Sequence, residues 1–345
     1  MVGFRVKFLV TPVGLMMGNI ESARRLREAL AREGLDVTAD READKFDLLH
    51  VHTPIPPSNI GAVKRAKMKG IPVVMHAHTT AEDSVGTFTG SRALSGITGK
   101  YLTRFYNLAD LVLAPSAWTK ERLTARGVKT PIRVISNGID LERFRFDPER
   151  RRRFRAKYGI PDDAVVAYSV GVVCLKKGIE TFPDVTRAVP DLDFIWVGRR
   201  SRLYHPLKVG IAMRQCGRNV RFLHDVDDIV DAHCGGDIFF TPSFTENQGM
   251  AVMEAMAVGR PVVARDLPSY AGLLLNERTA LLGRNVNEFV AGIESLANVS
   301  GLAGRLVKNG YEVLAVHDMR AVARELVSIY SGLLERPIGK DGVGA

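Results

Sequence analysis

Three cysteines, Cys174, Cys216 and Cys234, are all that 345 residues carry. Their spacing suits neither a disulfide framework nor a zinc-binding set, and so few thiols fit a reducing compartment. No apolar run approaches the ~18 residues that a membrane-spanning helix needs, which excludes a span through a bilayer. No signal-peptide pattern stands before the first strand pattern, so the expected location is cytoplasmic, with peripheral attachment to the inner face of the membrane left open. Low-complexity tracts and short repeats are also missing. Acids are scarce in one half only: residues 1–160 hold 28 Lys/Arg against 16 Asp/Glu, whereas residues 161–345 hold 20 against 22.

What is present is the composition of a soluble enzyme, 46% hydrophobic and 25% charged, in a chain too long for one ordinary core. The net charge of +10 sits in the first half. It implies an anionic partner there: acidic lipid headgroups, a phosphorylated substrate or nucleic acid. Nucleic acid is the weakest of the three, because no stacking aromatics interleave with the basic runs.

Short apolar runs suited to strands buried on both faces fall at 4–10, 48–51, 73–75, 111–114 and 132–135. Helical patterns lie between them at 20–33, 59–69, 92–108 and 117–126. A second alternating series places strands at 164–170, 193–197, 219–223, 237–240 and 261–264, with helices at 178–188, 207–216, 226–234 and 249–258. Helices at 287–297, 301–313 and 319–335 end the chain. This is an α/β pattern of two Rossmann-like, doubly wound parallel sheets, expected to face each other across a cleft. Residues 1–160 form the first domain with its connector, 161–318 the second, and 319–345 a C-terminal helix packing back toward the first. The connector, 137–161, includes the basic run 150–155, most of whose arginines are expected on a solvated face. Ligands in such sheets bind beyond the carboxyl ends of the strands. That places 11–19 (Gly18 included), 52–54 and 76–79 among the candidates.

The most informative stretch is 241–264. A strand runs into a polar loop carrying Glu246, Gly249 opens a helix, and Glu254 lies about two turns along among Met250, Val252, Met253 and Met256. Backbone N–H groups at such a helix start suit a phosphate, and an acid further on suits ribose hydroxyls. An ordinary strand-to-helix turn is the competing reading of these residues taken alone.

Several motifs in one order resolve it. Asp110-Leu111-Val112 to Pro115-Ser116 with Thr119-Lys120, then Val134-Ile135-Ser136-Asn137-Gly138-Ile139-Asp140 with Phe144, and Lys176-Lys177-Gly178, resemble segments of the retaining GT-B glycosyltransferases of family 4. So do Pro242-Ser243, Glu246, Gly249, Glu254-Ala255-Met256, Gly259 and Pro261-Val262-Val263, which reproduce that family's E-x7-E motif. The resemblance implies that Glu246 contacts the donor sugar, that Lys177 neutralises the diphosphate, and that Glu254 binds the ribose. The backbone near Asn247, Gln248, Gly249 and Met250 would hold the phosphates. It also implies a nucleotide-sugar co-substrate, a UDP-sugar being favoured, with no cofactor and no essential metal. Val172 stands where many members carry an arginine; the missing charge falls to Lys177, with help from Lys176 or Arg199. The string His76-Ala77-His78-Thr79-Thr80-Ala81-Glu82-Asp83 is similar to glycosyltransferases that build glycosyl-diacylglycerols, as is Phe194-Ile195-Trp196-Val197-Gly198. It implies His78 as the active-site histidine, Glu82 and Asp83 on the acceptor side, and a lipid or glycan acceptor. An anionic membrane surface would meet the basic half through Lys64, Arg65, Lys67, Lys69, Arg92, Lys100 and Arg104. His76 is expected on the opposite face from His78, in a packing role.

Overall fold

The computed structural model describes residues 3–11, 17–40, 43–86, 89–200 and 205–335. Residues 12–16 of the candidate stretch 11–19 and residues 336–345 of the expected C-terminal helix lie outside the described residues. Contacts divide the chain into two compact units. The first comprises Met1–Thr80, Ile97–Gly138 and His317–Ala345, the second Ala81–Gly96 and Ile139–Val316.

From the N-terminus run β1 (Arg5–Leu9), α1 (Met17–Arg32), β2 (Asp36–Thr38), β3 (Leu48–Val51), α2 (Ser58–Met68) and β4 (Val73–His76). They are followed by α3 (Ala81–Ser84), α4 (Ser91–Tyr106), β5 (Leu111–Ala114), α5 (Ala117–Ala125) and β6 (Ile132–Val134). Among the described residues the first unit's sheet has the order β2-β1-β3-β4-β5-β6, every pairing parallel. Alternation along the strands builds a core on each face. Val6, Phe8, Leu48, Val74 and Leu113 share one cluster. Leu9, Leu49, Val51, Val73, Met75 and Val112 share the other. Strands buried on both sides read as unbroken apolar runs for this reason.

The second unit follows with α6 (Pro148–Tyr158), β7 (Val166–Val170), α7 (Phe182–Ala188), β8 (Asp193–Val197), α8 (Pro206–Gln215), β9 (Val220–Leu223), α9 (Ile229–Gly235) and β10 (Ile238–Thr241). Next come α10 (Met250–Ala257), β11 (Val262–Arg265), β12 (Leu281–Gly283), α11 (Val286–Asn298) and α12 (Leu302–Leu314). Its sheet, again parallel, runs β12-β11-β10-β7-β8-β9. The chain then returns to the first unit, where α13 (Met319–Leu334) packs on α1 and buries Val322, Leu326 and Tyr330 beside Phe8.

Two edge strands, β2 and β12, carry no sequence signal beyond three residues each. The helix expected from 178 begins at Phe182, because Gly178 sits at φ 83, a left-handed conformation that ends a turn instead of starting a helix. The basic run departs most from expectation. Asp147 caps α6, accepting from the Glu149 and Arg150 amides. Three of the arginines then point inward instead of to solvent. Arg155, fully buried, donates to the carbonyls of Gly235, Pro161, Asp162 and Ala164 and to the Asp237 carboxylate at 2.6 Å. Arg151 meets Asp237 at 2.8 Å and Arg150 meets Asp231 at 2.7 Å. Arg152 and Arg153 alone keep mostly exposed side chains. The connector's later part is therefore clamped to α9, with Phe144, Phe154 and Ile160 in the second unit's core.

Candidate active site

In the second unit the buried strand β10 ends at Thr241, and the chain turns through 242–248 into α10. Gly249 caps this helix at φ 83, and a Cβ there would stand 2.5 Å from the Tyr270 ring, so only glycine fits. The first N–H groups of a helix have no acceptor within it. Those of α10 are the groups the sequence assigned to phosphate. Asn247 and Gln248 are buried beside them.

A second close approach positions the lysines. Leu175–Lys177 form a single 3-10 turn closed by Gly178, where a Cβ would come within 2.3 Å of the Pro242 carbonyl oxygen. The Phe244 amide donates to the Lys176 carbonyl at 2.8 Å. With the two loops held together, Lys177 Nζ lies 2.6 Å from Glu246 Oε1, and Lys176 Nζ lies 2.8 Å from Asp83 Oδ1. Burial pushes the Glu246 carboxyl up, but Lys177 and Lys176 outweigh it and hold its pKa below the ordinary value. Burial would discharge Lys176, yet Asp83 and Glu246 raise its pKa, so it stays a cation. Glu82 and Asp83, expected on the acceptor side, both fall in the second unit, where Asp83 meets Lys176.

Glu254 is buried on α10. Its Oε2 lies 3.5 Å from His233 Nε2, and His233 Nδ1 is 2.9 Å from the Tyr168 hydroxyl. That Tyr168–His233 support was missed in the sequence, where the two residues are 65 positions apart. Val172 is partly exposed beside Gly171, whose carbonyl accepts from Trp196 Nε1 at 2.8 Å. Arg199, offered as a substitute cation, forms an exposed pair with Asp225 at 2.8 Å. Of the two substitutes, Lys176 is the one whose charge acts on Glu246.

In the first unit, Gly18 occupies the first turn of α1. His78 is buried just beyond β4. His76 does not turn to the opposite face. The strand ends at His76, residues i and i+2 share a face, and the two rings stack with centroids 4.1 Å apart. They join a second H-x-H pair, His50 and His52, brought alongside by the parallel β3–β4 pairing. His52 Nδ1 lies 3.1 Å from His78 Nε2, and His50 Nδ1 lies 2.7 Å from the Tyr330 hydroxyl. Burial keeps all four rings neutral; it lowers His78 to about 4, against a partly compensating hydrogen bond that the ring donates to Asn137. Two H-x-H pairs at the ends of adjacent apolar runs were the available signal for this cluster.

A neutral imidazole is a hydrogen-bonding group rather than a charge. The α10 N-terminus offers backbone donors of the kind that suit an anion, and the lysine-paired Glu246 and the buried Glu254 offer acceptors of the kind that suit hydroxyls. Among the described residues no helix is long and apolar enough to cross a membrane.

Comparison with known proteins identifies the family. The family described as Glycosyltransferase Family 4 matches residues 12–143, and that described as Glycosyl transferases group 1 matches residues 170–299. Processive diacylglycerol alpha-glucosyltransferase of Acholeplasma laidlawii is 30% identical over 312 residues, covering 90% of this chain and 92% of that protein. Alpha-galactosylglucosyldiacylglycerol synthase of Streptococcus pneumoniae is 26% identical over 271 residues, 75% of this chain and 71% of its own. Among solved structures, Anabaena HepE in complex with UDP-glucose superposes with a TM-score of 0.77 at 18% identity, covering 95% of this chain and 100% of that one. The last likeness establishes the fold, two doubly wound units of GT-B type. The chain belongs to glycosyltransferase family 4 and is a glycosyltransferase.

Proposed function

We propose that this enzyme moves a hexose from a UDP-sugar to a hydroxyl of a diacylglycerol-based membrane lipid, with retention at the anomeric carbon. The observation that carries the reading is the likeness, over nine-tenths of the chain, to a diacylglycerol alpha-glucosyltransferase. UDP is favoured as the donor's nucleotide because a neighbour of the same fold holds UDP-glucose.

The chemistry is assigned as follows. The bond from the anomeric carbon to the diphosphate oxygen breaks, the acceptor oxygen bonds on the same face, and its proton passes to the departing phosphate oxygen. Charge grows on the diphosphate, where the α10 amides and Lys177 stabilise it as it develops. Glu246 accepts hydrogen bonds from sugar hydroxyls, Glu254 from the ribose, and neutral His78 hydrogen-bonds the sugar. Lysine charge takes the place of a divalent ion on the diphosphate.

The enzyme is proposed to work at the cytoplasmic membrane face without spanning it. Leu94 and Ile97 are exposed on α4, Ile97 by 68%, beside exposed Arg92 and Lys100, while Leu102 and Phe105 on the same helix are buried. On α2, Met68 is 81% exposed beside Lys64, Arg65 and Lys69. Each basic residue near an anionic surface contributes about 1 kcal/mol.

The test is transfer from radiolabelled UDP-glucose and UDP-galactose to diacylglycerol in vesicles with and without anionic lipid, with flotation alongside. Labelled glycolipid formed by the wild type and lost in Glu246→Ala supports the assignment. Label moving only to a soluble glycan or sugar phosphate, or no flotation at low salt, would overturn the lipid acceptor.

A further inference from the structure

The four histidines of the first unit do more than surround one another. His50 and His52 share a face of β3's end, and His76 at the end of β4 is brought to the same face by the parallel register. Each of these three rings offers a nitrogen within 4.8 Å of those of the other two, and all three are buried. Among the described residues, Nε2 of His50, Nε2 of His52 and both nitrogens of His76 find no hydrogen-bond partner. A buried nitrogen left in that state costs on the order of 1–3 kcal/mol, and several together call for an occupant.

We propose that His50, His52 and His76 form a binding site for one first-row divalent transition-metal ion of zinc type, a site separate from the donor cradle. Three neutral imidazoles suit zinc, cobalt, nickel or copper, and disfavour magnesium or calcium, which take oxygen. The outer partners have the pattern of a ligand set. A metal-bound histidine engages its second nitrogen with a hydrogen-bonding neighbour that fixes the ring. Here Tyr330 lies on His50 Nδ1 and His78 lies on His52 Nδ1.

The site also reaches the enzyme's chemistry through one hydrogen bond. With the ion on Nε2, neutral His52 must carry its proton on Nδ1 and donate it to His78 Nε2. His78 then keeps its own proton on Nδ1. The ion thus sets the tautomer of the histidine proposed to meet the sugar, and His52 is a positioning residue for it. The inference about metal binding does not depend on the lipid acceptor.

The experiment uses full-length protein without a histidine tag, expressed in minimal medium supplemented with zinc or with cobalt. Metal content is read by mass spectrometry, and the cobalt form by its visible absorption. One ion per chain is expected, with the d–d bands of nitrogen-ligated cobalt, and a rise in Tm of the chelator-treated protein on adding zinc. The double variant His50→Phe/His76→Phe keeps the ring stack but loses the ion. His224→Ala, at an exposed position, retains it. Substoichiometric metal in the wild type together with no thermal shift overturns the proposal, whether or not the double variant folds. Loss of the ion from His224→Ala as complete as from the double variant also overturns it.

Discussion

The two units hold polar groups inside the same kind of parallel sheet by opposite means. In the first, four buried imidazoles are kept neutral and stacked, with Tyr330 and Asn137 as hydrogen-bonding neighbours. In the second, charges are kept and paired: Lys177 with Glu246, Lys176 with Asp83, Arg155 and Arg151 with Asp237. A neutral ring escapes most of the penalty of leaving water, whereas a buried charge must be matched at once by a partner and by further hydrogen bonds. Under the proposed function the difference follows the tasks. A diphosphate leaving group needs fixed positive charge held ready, while orienting a sugar needs directed donors and acceptors.

The sharpest break in that comparison comes from removing one cation at the donor cradle. Lys177→Ala should lower kcat by about 10²–10³-fold, the usual cost of losing one group aimed at developing charge. The same change leaves Glu246 buried beside Lys176 alone, so its carboxyl pKa should rise. Initial rates at saturating donor check the first effect and the acid limb of the pH–rate profile the second. An unchanged kcat would place the catalytic charge elsewhere.

Structural ion pairs in the same unit should fail by unfolding rather than by chemistry. Arg155→Met strips four carbonyls and Asp237 of a fully buried donor. Breaking a buried pair by removing one partner costs about 3–5 kcal/mol, and Arg151 remaining on Asp237 places the expected loss at the lower end. Arg152→Met, with its side chain 64% exposed, should be neutral. Urea unfolding of both proteins compares them directly, and equal midpoints would mean that the clamp of α6 on α9 is not a stabilising element.

These arginines mark where sequence reading reached its limit. A strand buried on both faces announces itself as an apolar run, so both sheets and the order of their elements were legible, the three-residue edges β2 and β12 aside. The E-x7-E stretch was legible for a related reason: Gly249 and Gly178 are required by close approaches to Tyr270 and Pro242, so local pattern carried tertiary information. By contrast, Arg150–Arg155 look alike in sequence, and only the position of Asp231 and Asp237 decides which face the core. Asp83 likewise meets Lys176 across 93 positions. His76 departs from expectation because residues two apart along a strand share a face, which sets it with His78. Applied to both H-x-H pairs, the same period brings the cluster together.

A smaller effect separates the units by pH. In chelator-treated protein the four rings have folded pKa values below the unfolded value of 6.5, His78 at about 4. Below pH 6.5 the unfolded chain therefore binds protons that the fold does not. Their stabilising contribution is complete above that value and falls as the medium is acidified, by up to about 1.4 kcal/mol per pH unit for each ring. For Glu246 and Asp228 the shift is downward from 4.5 and 3.8, so what they contribute persists until the pH falls below those values. Between pH 6.5 and 4.5 the first unit alone should weaken. The chain has two tryptophans, Trp118 on α5 in the first unit and Trp196 on β8 in the second. Trp118→Phe and Trp196→Phe leave one fluorescent reporter in each unit. Coincident denaturation midpoints that shift together over this range would show that the units unfold as one.

The smallest expected effect is also the finest discrimination within the donor cradle. Val172 stands where the sequence resemblance implies an arginine, and the chain offers two candidate substitutes for that charge. Arg199 is 76% exposed and paired with Asp225, which is 73% exposed, so solvent screens whatever charge it presents. Lys176 is largely enclosed, with Asp83 on one side and the field of Glu246 on the other. Arg199→Ala should therefore leave the donor KM within about twofold, the range in which exposed charges usually act. Lys176→Ala should raise it by about tenfold, the equivalent of one charge-assisted contact of ~1.4 kcal/mol. If the ranking of the two is reversed in donor titrations, the diphosphate is held on the β8–β9 side of the loop, and the pairing of Lys176 with Asp83 serves the fold alone.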